Sequence, residues 1–286
     1  MLPRGTIRKA DTRRPAVGGS GALEVRNVSH SFRTPAGETM DALRDVSLTV
    51  RENEFFTVVG PSGCGKSTML NIAVGLIGPD SGSVRIGTAD DPAAARPTIG
   101  YITQDSSLLP WCTVLENIMM GLEVRKVPKA ERRRRASEWA RIVGLAGFEK
   151  HYPRQLSGGM QKRCSIARTM VYDPDIIFMD EPFSALDAIT RAVIQKAFLE
   201  LFDASRKTVI FITHDLTEAI GLSDRVAVMS GRPGRIKEIV DVPFDRPRDI
   251  YHVTQFDGFD ELHERLWSLL EVDLGNGAAG GPPDSR

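Results

Sequence analysis

The chain has 286 residues, a length that predicts about two domains, or one large domain with an appendage. Apolar residues make up 41% and charged residues 26%, which excludes a chain that is mainly disordered or fibrous. The 37 basic and 37 acidic side chains cancel, and this balance argues against a surface given over to a polyanion such as nucleic acid. The three cysteines form no CxxC pair, so neither a disulfide framework nor a zinc site is predicted.

Both ends of the chain are predicted to be flexible. Residues 1–21 are a basic arm that leads into glycine and serine instead of an apolar run, so we do not expect a secretory signal. Residues 275–286 are rich in glycine, alanine and proline and are predicted to be a disordered tail. No stretch between them approaches the roughly 18 apolar residues that cross a bilayer. Any membrane role is therefore expected to come from a partner.

The first ordered stretch alternates apolar with polar residues, as strands with one buried face do. The pattern covers Leu23 to Val28 and, after a turn at residues 34–37, Val46 to Val50. We predict a small antiparallel β subdomain in this part of the chain.

Four short apolar runs follow, at residues 55–59, 176–179, 209–212 and 226–229. Runs of this kind suit strands that are buried on both faces. Helical patterns lie between them, most clearly over residues 188–202, where apolar residues recur at helical spacing. Alternating strands and helices predict an α/β fold with a largely parallel sheet.

A stretch from Thr113 to about Gly147 interrupts this alternation with helix signals only. Thr113 and Glu116 have the spacing of a capping box, and Pro128 opens a second helix. We interpret the stretch as an inserted helical subdomain. Its basic cluster, Arg132–Arg135, has two readings, a solvated helix face or a contact with anionic lipid.

The segment after the first buried run fits the pattern G-x-x-x-x-G-K-[ST]. We call it the phosphate loop, and it consists of Gly60, Pro61, Ser62, Gly63, Cys64, Gly65, Lys66, Ser67 and Thr68. Glycines let backbone N–H groups turn toward phosphate oxygens, and the N-terminus of the following helix adds a partial positive charge. Lys66 is expected to reach the β and γ phosphates, and the Ser67 hydroxyl is expected to bind Mg²⁺. The alternative is a plain glycine-rich turn.

Two carboxylates, Asp180 and Glu181, follow the buried run at residues 176–179. Ligands of open α/β sheets gather at such strand ends. We expect Asp180 to hold the magnesium ion, and Glu181 to act as the general base that polarises the attacking water. The alternative reading is a pair of solvated side chains at the end of a strand.

A second glycine pair opens another predicted helix. Ser157 is a good N-cap, but Gly158 and Gly159 in the first helical turn cost about 1 kcal/mol each relative to alanine. A cap alone does not need them. Bare N–H groups at the positive end of a helix suit a second contact with phosphate.

In this order the motifs resemble those of the ATP-binding subunits of ABC transporters, over about residues 22–250. The resemblance implies ATP and Mg²⁺ as ligands. It also implies that Gln104 touches magnesium and the membrane partner. Ser184–Asp187 is then the D-loop, and His214 is the switch histidine beside the γ-phosphate. Phe32 lies where the family places an aromatic residue that stacks on adenine.

The resemblance further implies the P-loop NTPase fold of an ABC ATPase cassette, with an antiparallel β subdomain and an inserted helical subdomain. The ATP-binding domain is predicted over residues 22–256, its helical subdomain at about residues 113–172, and a C-terminal helix at residues 257–274. In the family, the glycine pair of one copy closes over the ATP that the phosphate loop of a second copy holds. A dimer of cassettes is therefore the expected active unit.

Two further segments resemble the nitrate, sulfonate and taurine branch of importers, namely Leu108–Asn117 with its Leu-Pro-Trp sequence and Gly231–Ile236 with its Arg-Pro-Gly-Arg-Ile sequence. The implied protein hydrolyses ATP at the cytoplasmic face of the cell membrane. Its implied partners are transmembrane permease subunits, a second cassette and an extracytoplasmic solute-binding protein, with no nucleic acid. The alternative is a soluble ABC-type ATPase that acts on a nucleic acid or a protein.

Overall fold

The computed structural model describes residues 21–35, 37–87, 97–205 and 207–277. Most of the predicted arm and tail, residues 1–20 and 278–286, lies outside the described residues. Gly21 is already the first residue of a strand, and residues 275–277 end a helix, so regular structure reaches slightly beyond the bounds that the sequence predicts.

Nine strands and seven α-helices are described. The strands are β1 (Gly21–Arg33), β2 (Thr39–Arg51), β3 (Phe55–Val59), β4 (Ser81–Ile86), β5 (Ile99–Ile102), β6 (Ile176–Asp180), β7 (Thr208–Ile212), β8 (Arg225–Met229) and β9 (Ile236–Asp241). The helices are α1 (Lys66–Ala73), α2 (Val114–Val124), α3 (Lys129–Ile142), α4 (Gly158–Met170), α5 (Ala188–Ala204), α6 (Leu216–Leu222) and α7 (Phe259–Gly277). Two short 3-10 helices lie at Pro153–Gln155 and Ile250–Gln255.

The predicted antiparallel subdomain is confirmed as a three-stranded sheet in the order β2-β1-β4. Its two long strands pair along most of their length, with Val28 opposite Val46 in a fully buried pair. One face of each strand is apolar and turns inward, because side chains alternate along a strand. The sheet thereby lies over the strand and helix that carry the phosphate loop, and their apolar residues form one core cluster.

The second sheet has six strands in the order β5-β6-β7-β3-β8-β9. The first five are parallel, and β9 runs antiparallel to β8 at the edge. Every residue of β3, β6 and β7 is buried, because helices and the antiparallel sheet cover both faces. The predicted α/β fold with a largely parallel sheet is confirmed.

The face of this sheet that packs on α4 and α5 has an aromatic centre. Phe55 makes edge-to-face contacts with Phe198 and Phe202 of α5 and with Phe211 of β7, at ring-centroid distances of 6.1, 5.3 and 5.8 Å. Aromatic pairs in this geometry add to the free energy gained by burying the rings. The cluster fixes the position of α5 against the sheet.

The helical insertion has a core of its own, formed by α2, α3 and α4. Thr113 and Glu116 form the predicted capping box at the start of α2. The basic cluster of α3 is paired along the helix surface, since Arg132 contacts Glu123, and Arg134 and Arg135 both contact Glu131. Three of the four arginines of the cluster thus have an acidic neighbour.

Among the helices of the described ranges, none combines the length and the apolar character needed to span a bilayer.

Replacing Phe55 by alanine is expected to lower the free energy of unfolding by about 3–5 kcal/mol, because it removes a fully buried ring and leaves a cavity. Denaturant unfolding measures the change. The matched control is Val124→Ala, at a side chain that is 79% exposed, where we expect a change below about 0.5 kcal/mol. Equal effects at the two positions would contradict the described core.

Candidate active site

Three strand ends lie side by side at one edge of the parallel sheet. Val58 of β3 pairs with Ile212 of β7, and Ile212 pairs with Asp180 of β6. The chain leaves β3 into the phosphate loop, β6 into Glu181, and β7 into the segment that carries His214. The parallel register therefore brings the three predicted chemical segments to the same edge.

The phosphate loop folds around its own lysine. Lys66 is buried, and its Nζ donates hydrogen bonds to the carbonyls of Gly60 and Pro61 at 2.8 and 2.9 Å. Gly65 has φ of 103°, and a Cβ there would lie 2.7 Å from the Ala42 carbonyl oxygen, so only glycine fits. No side chain caps α1, so its first N–H groups stay available to an anion.

The other loop residues line its rim or its base. Ser62 and Gly63 are exposed, and Pro61 and Thr68 are half-buried. Cys64 is buried, and burial raises the pKa of its thiol. Cys64 is therefore a neutral thiol at the base of the loop, and its backbone is what it offers to a ligand.

The Ser67 hydroxyl lies near the Asp180 carboxylate and lowers the pKa of that carboxyl. Asp180 is buried, and desolvation, the larger effect, raises its pKa. A hydroxyl and a carboxylate oxygen side by side are the hard donors that Mg²⁺ prefers. Within the described ranges no group of three or more His, Cys, Asp or Glu side chains could hold a metal ion. The chemistry of the Ser67 hydroxyl and the Asp180 carboxylate fits Mg²⁺, which commonly takes one or two protein oxygens and fills its other positions with water and phosphate oxygens.

Glu181 turns away from the strand that ends in Asp180. Its φ is 43°, a left-handed conformation that is strained for a residue with a side chain, and its N–H donates to the Ile212 carbonyl at 3.0 Å. Its Oε2 lies 3.2 Å from Nδ1 of His214, whose ring is exposed. The Glu181 carboxylate thus faces His214 from a residue whose backbone is strained.

The predicted second phosphate contact begins α4. The Ser157 hydroxyl caps the helix by accepting from the Met160 N–H at 3.3 Å. A Cβ on Gly158 would meet nothing within 4 Å, whereas one on Gly159 would lie 3.3 Å from the Ala185 carbonyl. Packing within this chain therefore does not require glycine at position 158, and the helix end is left open.

The structure places Phe32, Gln104 and Asp187 on three other segments. Phe32 is 37% exposed at the end of β1, with its ring edge-to-face on His30. Gln104 is exposed in the segment after β5. Asp187 caps α5 by accepting from the Thr190 N–H at 3.0 Å, and this contact lowers its pKa. Their roles toward a nucleotide stay predictions.

Lys162 has a position that the sequence analysis misses. It is 1% exposed, and its Nζ donates to the carbonyls of Thr103 and Gln104, both at 2.7 Å. Desolvation lowers the pKa of this lysine to about 8, although the nearby Asp180 carboxylate opposes the shift. A signal was present in the sequence, because Lys162 lies one helical turn before the apolar Ile166 and so shares its buried face.

Glu218 is a second missed residue. It is buried in α6, and it accepts hydrogen bonds from the Thr213 hydroxyl at 2.7 Å and from Nε2 of Gln195 at 2.9 Å. The Thr213 hydroxyl in turn accepts from the Asp215 N–H at 3.0 Å. Since residues 213 and 215 flank His214, the carboxylate of Glu218 anchors the segment that presents this histidine.

Arg191 connects the same carboxylate to the D-loop. Its Nη2 donates to the Leu186 carbonyl at 3.0 Å, and its Nε lies 3.9 Å from Glu218. A small cleft beside Glu181 and His214 is lined in part by Arg191 and Glu218. The contacts of Arg191 and Glu218 therefore extend from the candidate general base, Glu181, to the segment before α5.

Replacing Glu218 by glutamine is expected to change how stability depends on pH. Desolvation raises the pKa of Glu218 above its ordinary value of 4.5, so the folded state holds this proton more tightly than the unfolded state. Wild-type protein should therefore lose stability relative to Glu218→Gln as the pH rises through the window above 4.5. Denaturant unfolding between about pH 4.5 and pH 7 measures the difference.

The control is Glu200→Gln, at an exposed position of the neighbouring helix α5, where we expect a difference from wild type that is independent of pH. A Glu218→Gln difference that stays constant, or that moves in favour of the wild type as the pH rises, would contradict the described environment of Glu218.

Comparison with known proteins identifies one family. The ABC transporter family model matches residues 43–184. The chain is 49% identical to an uncharacterized ABC transporter ATP-binding protein, MJ0412 of Methanocaldococcus jannaschii, over 88% of this chain and 92% of that protein. It is 40% identical to the taurine import ATP-binding protein TauB of Pelagibacter ubique, over 88% of this chain and 98% of TauB.

A further relative and a solved structure agree with that family. The aliphatic sulfonates import ATP-binding protein SsuB of Bacillus cereus strain ATCC 10987 is 38% identical over 87% of this chain and 96% of SsuB. The dimeric structure of the ATP-binding cassette MJ0796 in a post-hydrolysis state, bound to ADP and Pi, superposes with a TM-score of 0.71. The two sequences are 33% identical, and the superposition covers 78% of this chain and 100% of MJ0796.

Proposed function

Since the chain belongs to the ABC transporter family and hydrolyses ATP, we propose that it drives import of a small solute, such as taurine, another sulfonate or nitrate, through a separate permease. One observation carries the proposal. The strand ends that gather Lys66, Asp180 and Glu181 lie in the same chain as a rigid loop that exposes Trp111. The residues at the strand ends serve ATP hydrolysis, and the loop with Trp111 serves docking on the permease.

ATP is held in the phosphate loop. The backbone N–H groups of the loop and of the uncapped start of α1 face the phosphates, and Lys66 contributes its charge to the β and γ groups. To do so, Lys66 exchanges its hydrogen bonds with the Gly60 and Pro61 carbonyls for phosphate oxygens. Phe32 offers the face of its ring to adenine.

Ser67 and Asp180 would hold the magnesium ion, and Gln104 would add an oxygen from the segment after β5. Bound Mg²⁺ neutralises charge on the β and γ phosphates. The effect of the Ser67 hydroxyl on the pKa of Asp180 supports this assignment, because it requires the two oxygen-bearing side chains to lie near each other.

Glu181 is the general base for hydrolysis. Its carboxylate accepts a hydrogen bond from the attacking water and so directs a lone pair of that water toward the γ-phosphate. His214 lies 3.2 Å from the carboxylate, where it orients Glu181 and faces the γ-phosphate. The anchor through Glu218 and Thr213 keeps His214 in place during this step.

A second copy of the chain completes each ATP site. The open helix end at Ser157 and Gly158 is directed at the ATP that the partner copy holds, and its N–H groups meet the γ-phosphate there. Gly159 keeps that helix end close to the D-loop, and Asp187 lies at the end of the D-loop. ATP thus joins two cassettes, and its hydrolysis lets them separate.

Replacing Glu181 by glutamine is expected to lower the rate of ATP hydrolysis by about 100-fold or more, because the side chain loses its basicity and keeps its shape. ATP binding should remain, so size-exclusion chromatography with ATP should show a stable dimer. The control, Glu200→Gln, should hydrolyse ATP at the wild-type rate. ATP hydrolysis by Glu181→Gln at the wild-type rate would contradict the assignment of Glu181 as the general base.

The loop at residues 108–113 is built to display a tryptophan. Asn117 is fully buried, and its side chain accepts from the Leu109 N–H at 2.9 Å and donates to the carbonyls of Leu109, Cys112 and Thr113. The Asn117 amide shares its two N–H donors among these three carbonyls, and the contacts fix the loop, yet Trp111 is 72% exposed. A large apolar side chain on a rigid loop is a typical binding hot spot. We assign this surface to the permease, which places the chain at the cytoplasmic face of the membrane.

The transported solute is selected elsewhere in the system, by the permease and by an extracytoplasmic solute-binding protein. The relatives TauB and SsuB, named for the import of taurine and of aliphatic sulfonates, support a sulfonate as the solute. Growth of a deletion strain on taurine or alkanesulfonates as the sole sulfur source, or on nitrate as the sole nitrogen source, tests the choice. If the deletion strain grows as well as the wild type on each of these solutes, the proposed substrate class is wrong.

Replacing Trp111 by alanine is expected to weaken association with the co-expressed permease by about tenfold or more, because it removes the exposed anchor of the loop. Stability and ATP affinity should be unchanged. The matched control is Trp267→Ala, at a half-exposed tryptophan on the C-terminal helix α7. Pull-down with the permease in detergent measures both variants.

Two outcomes would contradict the docking assignment. One is equal association of Trp111→Ala and wild type. The other is stimulation of ATP hydrolysis by nucleic acid in the absence of any membrane protein, which would favour the alternative of a soluble ABC-type ATPase.

A further inference from the structure

The loop between β8 and β9 reaches back to the phosphate loop. Nε and Nη2 of Arg232 both donate to the Gly63 carbonyl, at 3.1 and 2.9 Å, although the two residues are 169 positions apart. A guanidinium presents such paired donors in a fixed plane, so it holds its acceptor in one direction. The exposed Arg232 thus holds the exposed side of the phosphate loop through the Gly63 carbonyl.

Gly234, two residues further on, packs against the next peptide of the same loop. A Cβ at this position would lie 2.2 Å from the Cys64 carbonyl oxygen, a distance that no side chain tolerates. The backbone of Gly234 is fixed on its other side by β2, because its N–H donates to Ala42 at 2.9 Å and its carbonyl accepts from Arg44 at 3.0 Å. Gly234 is therefore wedged between β2 and the phosphate loop.

These contacts orient the groups that phosphate needs. A peptide unit is planar and trans, so its carbonyl and its N–H point in opposite directions. The Gly63 carbonyl shares its plane with the Cys64 N–H, and the Cys64 carbonyl shares its plane with the Gly65 N–H. The loop at Arg232 to Gly234 therefore fixes two successive peptides of the phosphate loop. The N–H of the first, that of Cys64, donates to the Pro61 carbonyl at 3.3 Å and must be exchanged for phosphate, and the second carries the Gly65 N–H.

The loop itself is braced from within. The Ser230 hydroxyl accepts from the Arg235 N–H at 3.0 Å and contacts the carbonyls of Gly231 and Pro233 at 2.9 and 3.2 Å. Arg235, the other arginine of the loop, is exposed. The same loop thus carries one arginine on the phosphate loop and another that faces solvent.

We propose that Arg232 and Gly234 form a clamp that holds the phosphate loop in the shape that binds nucleotide, and that Arg232 is a positioning residue for ATP. The inference rests on the proposed binding of ATP in that loop. A preorganised loop loses less conformational freedom when its ligand arrives, so the clamp acts on affinity. Arg232 does not touch the reacting atoms, and the rate at saturating ATP should not depend on it.

The test compares Arg232→Ala, Arg232→Lys and Arg235→Ala in the full chain. Titration with a fluorescent ATP analogue gives Kd, and steady-state hydrolysis gives KM and kcat. We expect Arg232→Ala to raise Kd and KM about 3- to 10-fold with kcat unchanged, which is the loss of one hydrogen-bonded contact. Arg232→Lys should recover part of the affinity, because it keeps a donor and loses the planar pair. Arg235→Ala should match the wild type.

The clamp is overturned if Arg232→Ala binds the analogue as the wild type does, or if Arg235→Ala weakens binding to the same degree, which would show an effect of surface charge alone. Lys66→Ala separates this failure from a failure of the proposed ATP site. Weak binding by Lys66→Ala with normal binding by Arg232→Ala removes only the clamp. Normal binding by Lys66→Ala removes the proposed site itself.

Discussion

The parallel pairing of β3, β7 and β6 is the constraint on which the site depends. Hydrogen bonds align Val58, Ile212 and Asp180 across the three strands, so the loops that follow begin at one level. A shift by one residue would turn every side chain to the opposite face. Because these strands are buried on both sides, such a shift would displace two layers of core packing at once. The fold thereby holds the phosphate loop, the Asp180–Glu181 pair and His214 together before any ligand binds.

The buried charges at this edge are arranged so that the acidic groups stay available. Lys66 donates to the carbonyls of Gly60 and Pro61, and Lys162 donates to backbone carbonyls after β5. Near Asp180 lies the neutral Ser67 hydroxyl, which lowers the pKa of the carboxyl. A direct ion pair between lysine and carboxylate would satisfy both groups and would have to be broken by a metal ion. Carbonyl partners are exchanged for phosphate oxygens at lower cost, because they carry only partial charge.

Much of this arrangement can be predicted from the sequence, and what cannot has a physical cause. Strands β3, β6, β7 and β8 are apolar runs because both their faces are buried, whereas the edge strands β4 and β9 carry polar residues and were not anticipated. The contiguous motifs predict the phosphate loop and the Asp180–Glu181 pair. The supports of these motifs are not contiguous. Helical spacing from Ile166 indicates that Lys162 is buried, but the carbonyls that it contacts lie 58 and 59 positions away, and the carbonyl that Arg232 contacts lies 169 positions away. Local patterns do not reveal these partners.

Non-local contacts also connect α4 to the segment after β5. Its N-terminus at Ser157 to Gly159 is the end proposed to meet the partner's ATP. Further along the helix, Lys162 donates to the Thr103 and Gln104 carbonyls, and Arg168 donates to the Ser107 carbonyl at 2.8 Å. An α-helix moves as a stiff rod, so displacement of its first turn displaces these donors too. The carbonyls they hold lie directly before the loop that presents Trp111. If α4 closes on the partner's ATP as proposed, we expect the displacement of its donors to reach the loop proposed to dock on the permease.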